Sequence, residues 1–244
     1  MGFEETLSAL LGKSPRGGSP RATSPRDEVC SLSEGRLFEF EAALHSQLDV
    51  GQKVEGFSLN IIPIDSGLAS PVVVNFYGED FILRQTEFDV VTDRYLIECK
   101  SCGRPEHYLV EGISGDDPEH GKLWQFNKEH NVLGWFRSVW DDIVQGEMQF
   151  KARRDSTGDL YLSLSGRRTN YTNIGFKCSW FKDIFCPEEY VSLWLNLIKN
   201  LTTKEFVIFF KNRVPAELRT KIQGIGVTIF DGDEIYTNAE QTRG

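Results

Sequence analysis

The sequence predicts an α/β fold: a central mixed β-sheet flanked by helices. Three observations predict it. Val90-Val91 and Leu96-Ile97 lie in two strongly apolar runs joined by a short turn, the pattern of paired central strands. Pro187 opens a helical pattern reaching about residue 199, with Glu188 and Glu189 in a first turn that favours negative charge, and with Val191, Trp194, Leu195 and Ile198 as its buried stripe. The chain then closes strand–helix–strand over 205–210, 215–223 and 226–230, which places helices against a sheet. A length of 244 residues, 40% of them hydrophobic and including 17 Phe and 5 Trp, supports one sizeable core.

Residues 1–30 read as a disordered tail. Ser14-Pro15-Arg16, Ser19-Pro20-Arg21 and Ser24-Pro25-Arg26 recur every five residues and offer little to bury. Ser14, Ser19 and Ser24 suit a proline-directed kinase, whose phosphates would reverse the tail's positive charge; a plain flexible linker is the alternative.

A single folded domain is expected over 31–244. Ser31 and Glu34 have capping-box spacing, and Leu37, Phe40, Leu44 and Leu48 follow at helical spacing. At about 100° per residue Glu41 falls within that stripe and Glu39 opposite it. A carboxylate facing the core is unusual; the alternative is that Glu41 sits at the stripe's edge. Strands are expected over 52–65 and 71–76, and a third from 81 to 91 runs into the hairpin. Gly103-Arg104-Pro105 ends the next strand. A helix over 121–134, stopped by Gly134, brings Lys122, Gln125 and Lys128 near one another.

The segment from Glu87 to Lys100 carries the chemistry. Strand side chains alternate faces, so Glu98 and Lys100 share a face while Ile97 and Cys99 point away. A two-residue turn at Asp93-Arg94 pairs Val91 with Leu96 and Val90 with Ile97, which sets Asp89 opposite Glu98 and Glu87 opposite Lys100. Opposed carboxylates about 5 Å apart repel each other, and in a central strand their burial demands a compensating cation. Two carboxylates and an ammonium at this range suit binding a divalent metal and activating a water.

The formal net charge of −9 argues against broad affinity for nucleic acid but allows a local basic groove. Lys151, Arg153, Arg154, Arg167, Arg168, Lys177 and Lys182 face only two acids over the same stretch. With Thr157-Gly158-Asp159 as a turn, these residues form a basic β-hairpin inserted at about 141–185. Tyr161, Tyr171 and Trp180 beside them would stack bases while the cations track phosphates; an ordinary solvated hairpin is the alternative.

The five cysteines, 30, 99, 102, 178 and 186, are irregularly spaced, and Cys99-x-x-Cys102 lacks the second pair of a zinc finger. Free thiols in an intracellular protein are expected, rather than a zinc-binding adaptor. There is no secretory signal and no apolar run of membrane-spanning length, so no membrane is expected as a partner.

An acid-bearing helix, three strands with an acid ending the second and Glu-x-Lys on the third, then a helix and a strand resemble the restriction-endonuclease-like PD-(D/E)XK nuclease superfamily. The resemblance covers about 31–135 and the strand near 205–210, and implies an α-β-β-β-α-β core. Asp89 matches the first motif acid, Glu98 the second and Lys100 the lysine; Glu41 matches the acid of the first helix, and Gln125 the glutamine of the following helix. Phe88 stands where the motif has proline, and Glu129 where the RecB-like branch has tyrosine. The resemblance implies a nuclease, with DNA favoured over RNA, in which Asp89, Glu98 and the Cys99 carbonyl bind Mg²⁺ or Mn²⁺ and Glu41 holds a second metal or a metal-bound water. Lys100 would orient the attacking water, and Gln125 would orient the site or touch phosphate. Lys122, Lys128 and the basic hairpin would line the substrate, and relatives in this superfamily include many homodimers. Retention of Asp, Glu and Lys together favours cleavage over a nuclease-fold module that only binds nucleic acid or a protein.

Overall fold

A computed structural model describes residues 25–48, 50–65, 72–76, 79–83, 85–101, 103–109, 124–166, 174–232 and 234. The chain divides into two compact units, Met1–Glu34 and Gly35–Gly244. In the second unit, eight strands form one mixed sheet in the order β10-β9-β5-β4-β1-β8-β7-β6. They are β1 (Val54–Asp65), β4 (Thr86–Thr92), β5 (Tyr95–Lys100), β6 (Met148–Arg154), β7 (Leu160–Gly166), β8 (Ile174–Cys178), β9 (Glu205–Phe210) and β10 (Thr228–Phe230). β2 (Val72–Phe76) and β3 (Glu79–Leu83) pair separately as a two-stranded sheet, so the long third strand expected from 81 to 91 is two elements in two sheets. β5 runs parallel to β9, and β9 to β10; every other neighbouring pair in the main sheet is antiparallel.

Helices cover both faces. Helix α1 (Pro25–Leu48) packs Phe38, Ala42 and Ala43 onto Val90, Ile97, Val207 and Phe209. Helices α2 (Trp124–Val144), α3 (Pro187–Thr203) and α4 (Ala216–Gly224) cover the opposite face, against Leu59, Phe88, Leu96, Phe176, Phe206 and Ile208. That larger core centres on aromatic contacts: Trp135 lies 5.2 Å from Phe176, and Phe181 5.8 Å from Trp194, centroid to centroid. Each such fully buried ring contributes roughly 1.5–3 kcal/mol from burial alone.

Four expectations are corrected here. First, α1 begins at Pro25, so residues 25–30 of the expected tail are helical and Ser31 lies inside the helix. Second, the inward face of α1 is Phe38, Ala42, His45 and Ser46, whereas Leu37 and Leu44 are 54% and 40% exposed. Apolar residues surround this helix, and the small Ala42 and Ala43 let its backbone approach the sheet in a way larger leucines would prevent. Third, α2 runs through Gly134 and stops at Gly146. Gly146 adopts φ 73°, its N–H bonds Ile143 O, and the Glu147 N–H bonds Asp142 O, a Schellman ending that needs the left-handed conformation glycine allows. Fourth, the hairpin expected about Thr157-Gly158-Asp159 forms, as β6 and β7, but it does not stand apart: with β8 it extends the main sheet beyond β1.

No helix among the described residues is long and apolar enough to cross a membrane.

Candidate active site

The hairpin of β4 and β5 has the expected register, Val91 with Leu96 and Val90 with Ile97. Its turn works without an Asn-Gly signal because Thr92 supplies the capping. The Thr92 hydroxyl accepts the N–H groups of Arg94 and Tyr95 at 3.2 and 2.8 Å and donates to Gln52 Oε1 at 2.7 Å. Behind the turn, buried Lys204 donates to Thr92 O and pairs with Glu55 Oε2 at 2.9 Å.

Past Val90 and Ile97 the regular pairing ends. A continued ladder would place Phe88 opposite Cys99; instead the Cys99 N–H donates to Asp89 Oδ2 at 2.6 Å. The carboxylate of Asp89 therefore occupies the gap where β4 and β5 part. Backbone alternation directs the Cys99 carbonyl toward the same side. Arg94 O and Lys100 O accept from Glu205 and Lys211 of the β9 segment, so even-numbered residues of β5 bond to β9 and odd-numbered ones face β4.

Glu98 is buried, and Lys100 pairs with its Oε1 from the same face of β5, as strand parity requires. The carboxyl of Asp89 is pushed up to about 8, first by burial and then by the neighbouring Glu98, with Glu39 adding to the effect. The Cys99 N–H and the charge of Lys100 act in the opposite direction without cancelling it. Asp89 Oδ1 takes no hydrogen bond among the described residues. Burial and the adjacent carboxylates also drive the Cys99 thiol well above its ordinary value, so that sulfur stays protonated.

Helix α1 brings Glu39 to this cluster. Glu39 is half-buried, and its carboxyl is raised by burial and by Glu87 and Glu98, against the lowering effect of Arg36. The shifted phase of α1 explains why Glu39 lies there, where Glu41 was expected. With Phe38, Ala42, Ala43, His45 and Ser46 turned inward, Ala42 marks the centre of the buried face, and position 39 lies about 60° from it while position 41 lies about 100° to its other side.

Directly across from Asp89 on β1 is Ser58. Phe57 pairs with Val90 and Leu59 with Phe88. Ser58 has φ 51°, the only positive φ among the described non-glycine residues, a conformation costing roughly 1–3 kcal/mol. Side-chain alternation reverses there: Phe57 and Val90 pack under α1, whereas Leu59 and Phe88 pack under the opposite helices. Nothing in the sequence marks this reversal, since Ser58 sits in an unbroken strand pattern.

The other site residues are described only in part. Gln125 and Lys128 lie in the first turns of α2, outside the residues whose side chains are described; Lys122, Arg167, Arg168, Tyr171, Ser14, Ser19 and Ser24 lie outside the described residues altogether. Lys151 and Arg153 are exposed on one face of the edge strand β6. Four inter-strand steps separate β6 from β4, roughly 19 Å. Arg154 is exposed, with its guanidinium donating to Gly158 O at 2.7 Å and Phe185 O at 3.1 Å. Lys177 pairs with Asp155 and Asp159. Two aromatic residues expected to stack bases have structural roles: Tyr161 is buried with its ring over Gly175, and the Trp180 Nε1–H donates to Phe57 O at 3.0 Å.

Among the described residues, no three His, Cys, Asp or Glu side chains converge into a ready-made metal cage. Comparison of the chain with protein-family models, curated proteins and solved structures gave no match.

Proposed function

We propose that the protein is a divalent-metal-dependent nuclease that hydrolyses phosphodiester bonds, with DNA as the favoured substrate. The observation that carries this reading is a buried acid cluster at the gap between β4 and β5. Asp89, raised to about 8 by burial and by Glu98 and Glu39, sits in a strand gap into which a backbone carbonyl also points. Carboxylate and carbonyl oxygens are the donors that Mg²⁺ and Mn²⁺ take, and Mg²⁺ is commonly held by only one or two carboxylates with water completing its shell. Two carboxylates and one carbonyl therefore fit the ion without a three-side-chain cage. When bound, the metal would lower the pKa of a water and offset charge on the phosphoryl group.

In this reading Asp89, Glu98 and the Cys99 carbonyl hold the metal. Lys100, tethered beside Glu98, orients the attacking water, and Glu39 takes the part first assigned to Glu41. Gln125 would approach from the start of α2. Lys151 and Arg153 contact the phosphate backbone away from the reacting bond. The order β1-β4-β5-β9, with β9 parallel to β5 and α1 over one face, supports the restriction-endonuclease-like core.

Lys100→Ala tests the assignment. The variant should stay folded, melting lower because Glu98 loses this ion pair, and lose at least about 100-fold in Mg²⁺- or Mn²⁺-dependent cleavage of labelled DNA, in the range expected for a positioned proton-transfer group. Cleavage at the native rate by a well-folded Lys100→Ala would sink the reading.

A further inference from the structure

We propose that Ser179 and Trp180 are positioning residues for Asp89, acting through the strained turn of β1 at Ser58. Both lie in the short 3-10 helix Ser179–Phe181 that follows β8, two strands away from Asp89 in the sheet. The Ser179 hydroxyl makes two bonds across the deformed segment: it donates to Ser58 O at 3.1 Å and accepts the Asn60 N–H at 3.0 Å. Trp180 holds the same segment one residue earlier. Its Nε1–H donates to Phe57 O, and its ring lies so close to Gly56 that a Cβ there would sit 2.9 Å from it. Residues 56 to 60 of β1 are thus clamped from one side by two consecutive side chains.

The clamp has a consequence on β4. A serine does not keep φ 51° unless its surroundings over-determine it. With Ser58 held, β1 turns its side-chain alternation over between Phe57 and Leu59, and β4 follows between Val90 and Phe88, because the two strands are paired at both points. Asp89 is the residue at that pivot. It is released from regular alternation and directs its carboxylate into the gap beside Cys99 rather than onto a face of the sheet. Without the clamp, relaxation of Ser58 to an extended conformation would restore alternation, and Asp89 would swing out of reach of the Cys99 N–H.

The functional weight of this proposal rests on the reading of Asp89 as a metal ligand, but its structural content can be measured without metal. The reporter is the Cys99 amide, which donates to Asp89 and lies on a strand that neither Ser179 nor Trp180 touches. In metal-free protein, Ser179→Ala should speed hydrogen exchange at the Cys99 amide at least tenfold and shift its proton resonance upfield. The Val90 and Ile97 amides should stay unchanged, and Ser179→Thr, which keeps the hydroxyl, should restore native exchange. Mn²⁺ affinity measured by calorimetric titration should fall at least fivefold in Ser179→Ala and recover in Ser179→Thr. Should Ser179→Ala fail to fold, Trp180→Phe, which loses both the Nε1–H and the indole edge against Gly56, gives the same readouts in the same direction. Native exchange at Cys99 in a folded Ser179→Ala or Trp180→Phe protein overturns the proposal. If native protein binds no Mn²⁺ while Cys99 exchange responds as described, the metal reading fails and the positioning role stands.

Discussion

Replacing Asp89 by Asn should make the metal-free protein more stable, and the gain should grow with pH. Asn keeps an oxygen to accept the Cys99 N–H, so the 2.6 Å hydrogen bond has a replacement while the charge facing Glu98 and Glu39 disappears. The sign follows from the direction of the shift. The Asp89 carboxyl titrates near 3.8 when unperturbed and near 8 in the fold. A group raised in this way lends full stability below the unperturbed value and loses it as pH climbs through the folded one. At 1.36 kcal/mol per pH unit, the loss reaches at most about 5–6 kcal/mol by pH 8, and relaxation and water entry reduce it. In the presence of a chelator, Asp89→Asn should therefore match the native protein near pH 4 and exceed it by about 2–5 kcal/mol at pH 8, as read from urea unfolding at each pH. Excess Mn²⁺ should narrow the gap, because a ligand at 100 times its Kd adds about 2.7 kcal/mol to the protein that binds it and nothing to the variant that does not. A stability difference that is constant across pH, or a variant weaker than the native protein at pH 8 without metal, would refute the account of Asp89 as a charge held for a cation.

Glu39→Gln should slow Mn²⁺-dependent cleavage at least tenfold under single-turnover conditions, while Glu41→Gln changes it less than twofold; the opposite ranking would return the helix acid to position 41. Replacing Lys151 and Arg153 together by Glu should weaken DNA binding about tenfold and reduce the slope of log affinity against log salt by about 2, measured by fluorescence anisotropy over a salt series. Unchanged salt dependence would remove β6 from the substrate surface.

The hairpin was legible in the sequence because strand parity is a local rule. Val90, Val91, Leu96 and Ile97 fix which residues pair, and the parity of Glu98 and Lys100 then places them on one face whatever surrounds them. Helix α3 and the closing strand, helix and strand were legible for the same reason: Pro187 at the helix start and apolar spacing act within one element, although the buried stripe of α3 is Tyr190, Trp194, Leu197, Ile198 and Leu201, with Val191 and Leu195 only partly buried. The phase of α1 was not. Six apolar residues between Leu37 and Leu44 give no single stripe, and the choice of Phe38 and Ala42 over Leu37 and Leu44 belongs to the sheet it lands on. Glu39 was missed with it. The end of α2 was misread because Gly134 weakens a helix without having to stop it, whereas Gly146 has the left-handed geometry that does.

The sequence by itself determined that this chain is an α/β protein with an acid, a turn and a Glu-x-Lys strand brought together by a hairpin. These follow from periodicity and pairing between neighbours in the chain. Only the tertiary structure decided where Asp89 points, which helix acid joins it and what becomes of the basic segment. Asp89 turns into the gap beside Cys99 at the point where β1, held by Ser179 and Trp180 some 120 residues further along, reverses its alternation. The basic residues of β6 lie at the far edge of the same sheet, a placement set by β8 pairing with β1. Contacts between segments so distant in sequence depend on how faces fit in three dimensions, and no local pattern encodes that fit.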